Sequence, residues 1–158
     1  MKLLRTLRLD HSDEQVFERS AVAGEWAVTG GFAFMHDDEA SLAGKRLQAF
    51  RNGFLGLGSF GWATLVEVAE LDADEYAAAE RLLAEHLVAD YGAPDVDTAL
   101  PAAREELAYA ASLCEAEPHT LLALTREFDD DGGIVESLRV VRKPDGAEHT
   151  GVRLFGPA

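Results

Sequence analysis

The stretch GLGSFG, residues 56–61, carries glycines at the G-x-G-x-x-G spacing with which backbone amides cradle a dinucleotide pyrophosphate. That chemistry requires a strand before the glycines and a helix after them, so that the helix N-terminus meets the phosphate. The surrounding sequence reads in the opposite order, with a helix ending near Asn52 and a strand beginning at Trp62. The loop amides therefore need not converge on an anion, and dinucleotide binding is not expected. Gly56, Gly58 and Gly61 instead permit tight turns or close packing beside Phe54, Phe60 and Trp62. No Gly-Lys-Ser/Thr follows, so a Walker loop is absent, and no Gly-x-Ser-x-Gly elbow supports Ser59 as a hydrolase nucleophile.

The other chemically competent side chains are scattered. Histidines stand at 11, 36, 86, 119 and 149, none in an H-E-x-x-H pattern. The acidic runs DHSDE (10–14) and HDDE (36–39) hold oxygen and imidazole donors, and solvated loop acids account for them. His86 and Asp90, four apart on a helix, form a surface pair. DDDGG (129–133) imitates the start of a calcium loop, yet the twelfth position from Asp129 is Val140 rather than Glu, which leaves turn chemistry. No metal site and no cofactor is expected. Cys114, the single cysteine, falls on an apolar helix stripe and reads as a small buried hydrophobe, with His119 the one local group able to activate it.

Seven of the thirteen aromatic residues, Trp26, Phe32, Phe34, Phe50, Phe54, Phe60 and Trp62, lie between residues 26 and 62. Most belong in a core, because aromatic rings dominate core energetics. The rest sit beside glycines and near Lys45, Arg46 and Arg51, where a pocket or contact surface is expected. The candidate ligand-binding residues are Arg51, Phe54, Ser59 and Trp62, with the cation favouring an anionic group.

The elements that must position these residues follow from periodicity. EWAVTGGFAFM (25–35) alternates like a strand, with Gly30 and Gly31 as a tight turn or bulge inside it. DDEASLAGKRLQAFRNG (37–53) reads as a helix bearing Leu42, Leu47 and Phe50, closed by a left-handed cap at Asn52 and Gly53; two strands joined by an Asn-Gly turn are the alternative. WATLVEVAEL (62–71) has the composition of a buried strand. A helix over about 74–91 starts after Asp72 or Asp74, carries the stripe Tyr76, Ala79, Leu83 and Leu87, and stops at Gly92. GAPD breaks the chain before a second helix over about 98–116, with Pro101 in its first turn and Leu107, Ala110, Ala111 and Cys114 along one face. HTLLALTREF and IVESLRVVRK pair around DDDGG, and a short strand near Val152–Phe155 completes the pattern. Strands, then helices, then strands predict an α+β fold: a mainly antiparallel sheet with a helical hairpin packed on one face. The expected organisation is a single domain over 1–158, the hairpin (about 74–116) inserted between the β segments.

The chain holds 29 acidic against 14 basic residues, a net charge of −15, which repels nucleic-acid phosphates. Residues 70–117 hold 13 of the acids and only Arg81 and Arg104 among the bases, a solvated helical face or a docking surface for a basic partner. MKLLRTLRLDH, broken by Lys2, Arg5 and Arg8, lacks a signal-peptide core, and no apolar run is long enough to span a membrane. A cytoplasmic protein is expected. The pieces GGFAF, QAF, NGFLG, SFGW, GAPD and SLC, spread over residues 30–114, resemble a small uncharacterised bacterial domain family of unknown function. The resemblance implies no activity and no catalytic residue. A non-enzymatic accessory or protein-binding module, able to form a homodimer through an uncovered apolar face, is the leading expectation. The alternatives are a protein that binds a small anionic ligand through residues 50–62, and an enzyme of unknown class.

Overall fold

The computed structural model describes residues 1–8 and 10–144. Its strands are β1 (Lys2–Leu7), β2 (Trp26–Val28), β3 (Phe54–Gly56), β4 (Trp62–Ala63), β5 (Leu65–Glu70), β6 (Leu121–Phe128) and β7 (Ile134–Arg142). They form one antiparallel sheet in the order β4-β3-β2-β1-β5-β6-β7, curled into a half-barrel. Helices are α1 (Ser12–Val16), α2 (Gly44–Asn52), α3 (Ala73–Tyr91) and α4 (Val96–Ser112). The fold is α+β, as the pattern of elements predicts, and no helix among the described residues is long and apolar enough to cross a membrane. The strand expected near Val152–Phe155 lies outside the described residues.

The helical hairpin follows its sequence signals closely. Asp72 caps α3 with a reciprocal box, its carboxylate accepting from Glu75 N at 2.8 Å while Glu75 accepts from Asp72 N at 3.1 Å. Gly92 ends the helix in the left-handed region at φ 78°. Asp95 caps α4 by accepting from Thr98 N at 2.7 Å, so the helix starts earlier than expected and Pro101 lies inside it rather than in its first turn. Ala79, Leu83, Ala99, Ala103, Leu107 and Ala110 are buried against Leu3, Leu4, Val66 and Val68 of the sheet. Small alanines let the backbones approach, while each fully buried Leu contributes about 1.5–3 kcal/mol. Cys114 closes this stripe at 3% exposure, its thiol donating to the Ala110 carbonyl at 3.4 Å. Burial pushes the thiol pKa up to about 11, against a small opposing pull from Lys2.

Three expectations fail between residues 25 and 64. The strand expected over 25–35 stops at Val28, because Gly30 at φ 86° turns the chain into a 3-10 turn over Gly31–Phe34. A Cβ on Gly30 would stand 2.7 Å from Leu55 Cβ and 2.8 Å from the Trp62 ring, so both conformation and packing demand glycine there. The helix expected over 37–53 is confined to α2, since Ser41 and Asp38 bond each other in a turn ahead of it. Its end is not left-handed: Gly53 has φ −93° and runs straight into β3. The strand over 62–71 is interrupted at Thr64, whose hydroxyl donates to the buried Asp13 carboxylate at 2.9 Å.

The glycine loop joins β3 to β4, and two of its amides, those of Gly58 and Ser59, converge on an anion. The anion is the chain's own Glu25. Its carboxylate accepts from Gly58 N at 2.7 Å, Ser59 N at 2.8 Å, Ser59 Oγ at 2.7 Å and Val22 N at 2.6 Å. A Cβ on Gly56 would meet this carboxyl group at 2.5 Å, which explains a glycine beside it.

Arg126, in β6, is 1% exposed and occupies the junction of α2, the 3-10 turn and the sheet. All five guanidinium N–H groups find acceptors. Nε donates to Glu136 at 2.8 Å, one terminal nitrogen to the carbonyls of Phe50 at 2.7 Å and Ala49 at 3.3 Å, the other to Thr29 at 2.7 Å and Gly53 at 3.3 Å. The Phe34 and Phe50 rings flank it with centroids at 5.5 and 5.9 Å. Glu136 spends its other oxygen on the Tyr109 hydroxyl of α4 at 2.9 Å, tying the hairpin to the same cluster.

Arg126→Lys, which keeps the charge but lacks the fork of donors, is expected to lose about 2–4 kcal/mol in urea unfolding through orphaned carbonyls; a wild-type midpoint refutes the clamp. Glu25→Gln replaces an ionised acceptor with a neutral one and is expected to lose about 1–2 kcal/mol, with amide exchange at Gly58 and Ser59 accelerating. Cys114 is expected to react slowly with a thiol reagent at pH 7 and quickly once denatured, and Cys114→Ala to cost about 1 kcal/mol or slightly more.

Candidate functional site

Of the four residues singled out as ligand contacts, Trp62 borders a cleft among the described residues. Phe54 is 0% exposed in the main core. Ser59 is committed through both its amide and its hydroxyl to Glu25. Arg51 is exposed on α2. Trp62 is half-buried and lines a cleft of about 240 Å³ together with Glu18, Arg19, Lys45, Arg46, Ala49 and Phe60.

Each wall of this cleft is positioned by a local constraint. Trp62 N–H donates to the Arg19 carbonyl at 2.9 Å, and Ala21 N–H to the Trp62 carbonyl at 2.8 Å, a short parallel bridge that lays the segment after α1 along β4. The indole packs over Gly30 and Gly53 and lies 5.3 Å from the Phe34 ring, which fixes its plane. Lys45 and Arg46 occupy the first turn of α2. Arg46 donates to Asp37 at 2.6 Å and to the Ala33 carbonyl at 3.2 Å, with its guanidinium 4.9 Å from the Phe34 ring. Burial works against the Asp37 charge, but Arg46 and Ser41 outweigh it and hold the carboxyl below the ordinary carboxylate range.

Phe60 has φ 56°, a left-handed conformation that a bulky side chain adopts only under constraint. The constraint is visible: its ring stacks on His86 of α3 at 4.1 Å and 9°, and meets Tyr91 at 6.1 Å. The loop is thus pulled toward α3, and the phenyl ring becomes the cleft's apolar wall.

Lys45 and Arg19 form no ion pair among the described residues, whereas Arg46 is partly neutralised by Asp37. A concave site with two unpaired cations, a third nearby and two aromatic walls suits a small anion carrying a planar apolar body. The other candidates separate. His119 bonds Glu67 at 3.2 Å, while the Cys114 thiol is spent on Ala110. His86 meets Asp90 at 3.3 Å, and Asp129 organises the turn before β7 by accepting from Asp131 N and Gly133 N. Among the described residues, no group of three or more His, Cys, Asp or Glu side chains is placed to hold a metal ion.

Sequence reasoning located Lys45, Arg46 and Trp62 near a pocket but missed Arg19. Arg19 and Glu18 follow α1 in a segment without periodicity, and only the bridge to Trp62 brings them in. The buried Arg126 was missed for a different reason: its spacing in LTREF puts it on the face of Leu124 and Phe128, but a charged side chain there reads as solvated until its carbonyl partners are known.

Neither the curated proteins nor the solved structures yield a match to this chain. A family model does match, over residues 1–153, which takes in the helical hairpin, every strand of the sheet and the whole of the cleft. The chain belongs to the family of unknown function DUF6505.

Proposed function

We propose that this protein is a binding protein for a small organic anion, which it holds in the cleft between the first turn of α2 and the β3–β4 loop. The observation that carries the reading is the meeting of Arg19, Lys45 and Arg46 with the rings of Phe60 and Trp62 in one concavity, in a chain whose net charge is −15. Three bases line this cleft against Glu18 and the Asp37 paired with Arg46, which leaves a local excess of positive charge that the rest of the surface opposes. Lys45 and Arg19 supply charge-assisted hydrogen bonds to a carboxylate or phosphate, and the rings take up an aromatic or flat aliphatic body. A cavity of about 240 Å³ limits that body to roughly one ring.

The competing reading is a non-enzymatic accessory module that docks a basic protein, or a second copy of itself, through the acidic hairpin. It draws support from the charge of residues 70–117 and from exposed Leu82 and Tyr109 on the two helices. Mixed cation–aromatic clefts favour the ligand reading because an acidic helical face is also what solvation alone produces.

Calorimetric titration with phenyl phosphate and benzoate is expected to give saturable binding that weakens with added salt. Lys45→Gln and Arg19→Gln should each reduce affinity about tenfold without moving the thermal midpoint, since neither side chain supports the fold. No heat from either anion at millimolar concentration, together with a dimer by light scattering, would favour the accessory module instead.

A further inference from the structure

On the other side of the Ala33 backbone lies a second, larger concavity of about 360 Å³, between the 3-10 turn and the helical hairpin. Most of its lining is apolar, with Phe32, Met35, Leu87, Tyr91 and the methyl of Ala102, and His36 is the polar residue beside Met35. Met35 is 66% exposed and Tyr91, packed edge-on against Phe32 at 5.5 Å, is 46% exposed, which leaves apolar surface open at the groove. Glu105 and Glu106 of α4 complete the lining.

These two carboxylates are left without cations by arrangements elsewhere. Arg104 turns to Glu80 at 4.0 Å. Arg126, the nearest buried cation of the sheet, is consumed by Glu136, and the second oxygen of Glu136 is taken by Tyr109. Among the described residues neither Glu105 nor Glu106 has a basic side chain within ion-pair distance. Glu106 is half-buried, and burial, with the neighbouring Glu136 and Glu105 charges, holds its carboxyl above the ordinary range, so its environment is short of positive charge. An apolar groove whose lining includes two carboxylates without a cation partner among the described residues complements a positive group on an apolar frame. His36 in the wall, when neutral, is a further acceptor for an N–H donor.

We infer that the groove between the 3-10 turn and α3–α4 is a binding site for a small organic ammonium ion, whose apolar body lies between Met35, Phe32 and Tyr91 and whose charge meets Glu105 and Glu106. The site is separate from the anion cleft and takes ligands of opposite charge. Its volume admits a free amine with one ring or a short chain, and this free molecule, rather than a lysine of a partner protein, is the occupant.

The test is calorimetric titration of the full chain with 2-phenylethylamine, and with 2-phenylethanol as its uncharged counterpart. The amine is expected to bind saturably and about tenfold more tightly than the alcohol. The double variant Glu105→Gln with Glu106→Gln should erase that preference, both positions being on the outer part of a well-packed helix. Ala102→Phe, at an exposed helical position, should fill the groove and abolish binding of both molecules while the thermal midpoint stays in place. Lys45→Gln should leave amine binding unchanged, which separates failure here from failure of the anion site. Equal affinity for amine and alcohol, no heat from either, or a preference that survives the double glutamine variant overturns the inference. Binding confined to a lysine-bearing peptide, with the free amine silent, also overturns it and makes the groove a protein-docking site.

Discussion

A guanidinium withdrawn from water must replace every hydrogen bond it gives up, and Arg126 does so with one carboxylate and four backbone carbonyls. Those carbonyls belong to the end of α2, the residue entering β3 and the loop leaving β2. The end of α2 is thereby held against the edge of the β2–β3 pair, with β6 supplying the cation. The carbonyls at a helix C-terminus ordinarily lack intrahelical partners, so the cation satisfies groups that would otherwise need solvent. The same cluster reaches α4 through Glu136 and Tyr109. The two concavities described above border this junction, since α2 provides Lys45 and Arg46 to one and the 3-10 turn provides Phe32 to the other.

The parts of the fold that were legible in the sequence are those fixed by near neighbours. Asp72, Glu75 and Gly92 define α3 within its own length, and Asp129 with Gly132 define the turn between β6 and β7. Residues 25–64 were harder because their conformation answers to distant partners. Gly30 looks like a bulge in a strand until the Trp62 ring is known to lie against it. Asn52-Gly53 looks like a left-handed cap, but Phe54 must enter the sheet at once and Asn52 donates instead to the Leu124 carbonyl at 3.1 Å. For the candidate cleft, the basic run KRLQAFR and the aromatic density were visible, whereas Arg19 depends on a pairing across more than forty residues.

The electrostatics divide the surface more sharply than the net charge suggests. The acidic hairpin and the cation cleft lie on neighbouring parts of a small molecule, within a few screening lengths of about 8 Å at physiological ionic strength. At that distance the overall negative field is largely screened, and a ligand entering either concavity responds to the side chains in its walls. Opposite preferences in adjacent sites are therefore compatible with a single excess of acid.

Glu25 carries a different lesson. The glycine loop offers converging amides, the feature by which such loops hold phosphates, and the chain fills it with a carboxylate from the turn before β2. Because that carboxylate is tethered, a free anion would compete against an effective concentration at least in the millimolar range, far higher if the short connection is stiff. The nest behaves as a receptor permanently occupied by its own pendant ligand. The backbone of this loop is thereby closed to dissolved anions, so that in the proposed anion cleft any choice among them would rest on side chains, which unlike amides can be exchanged one at a time without rebuilding the turn.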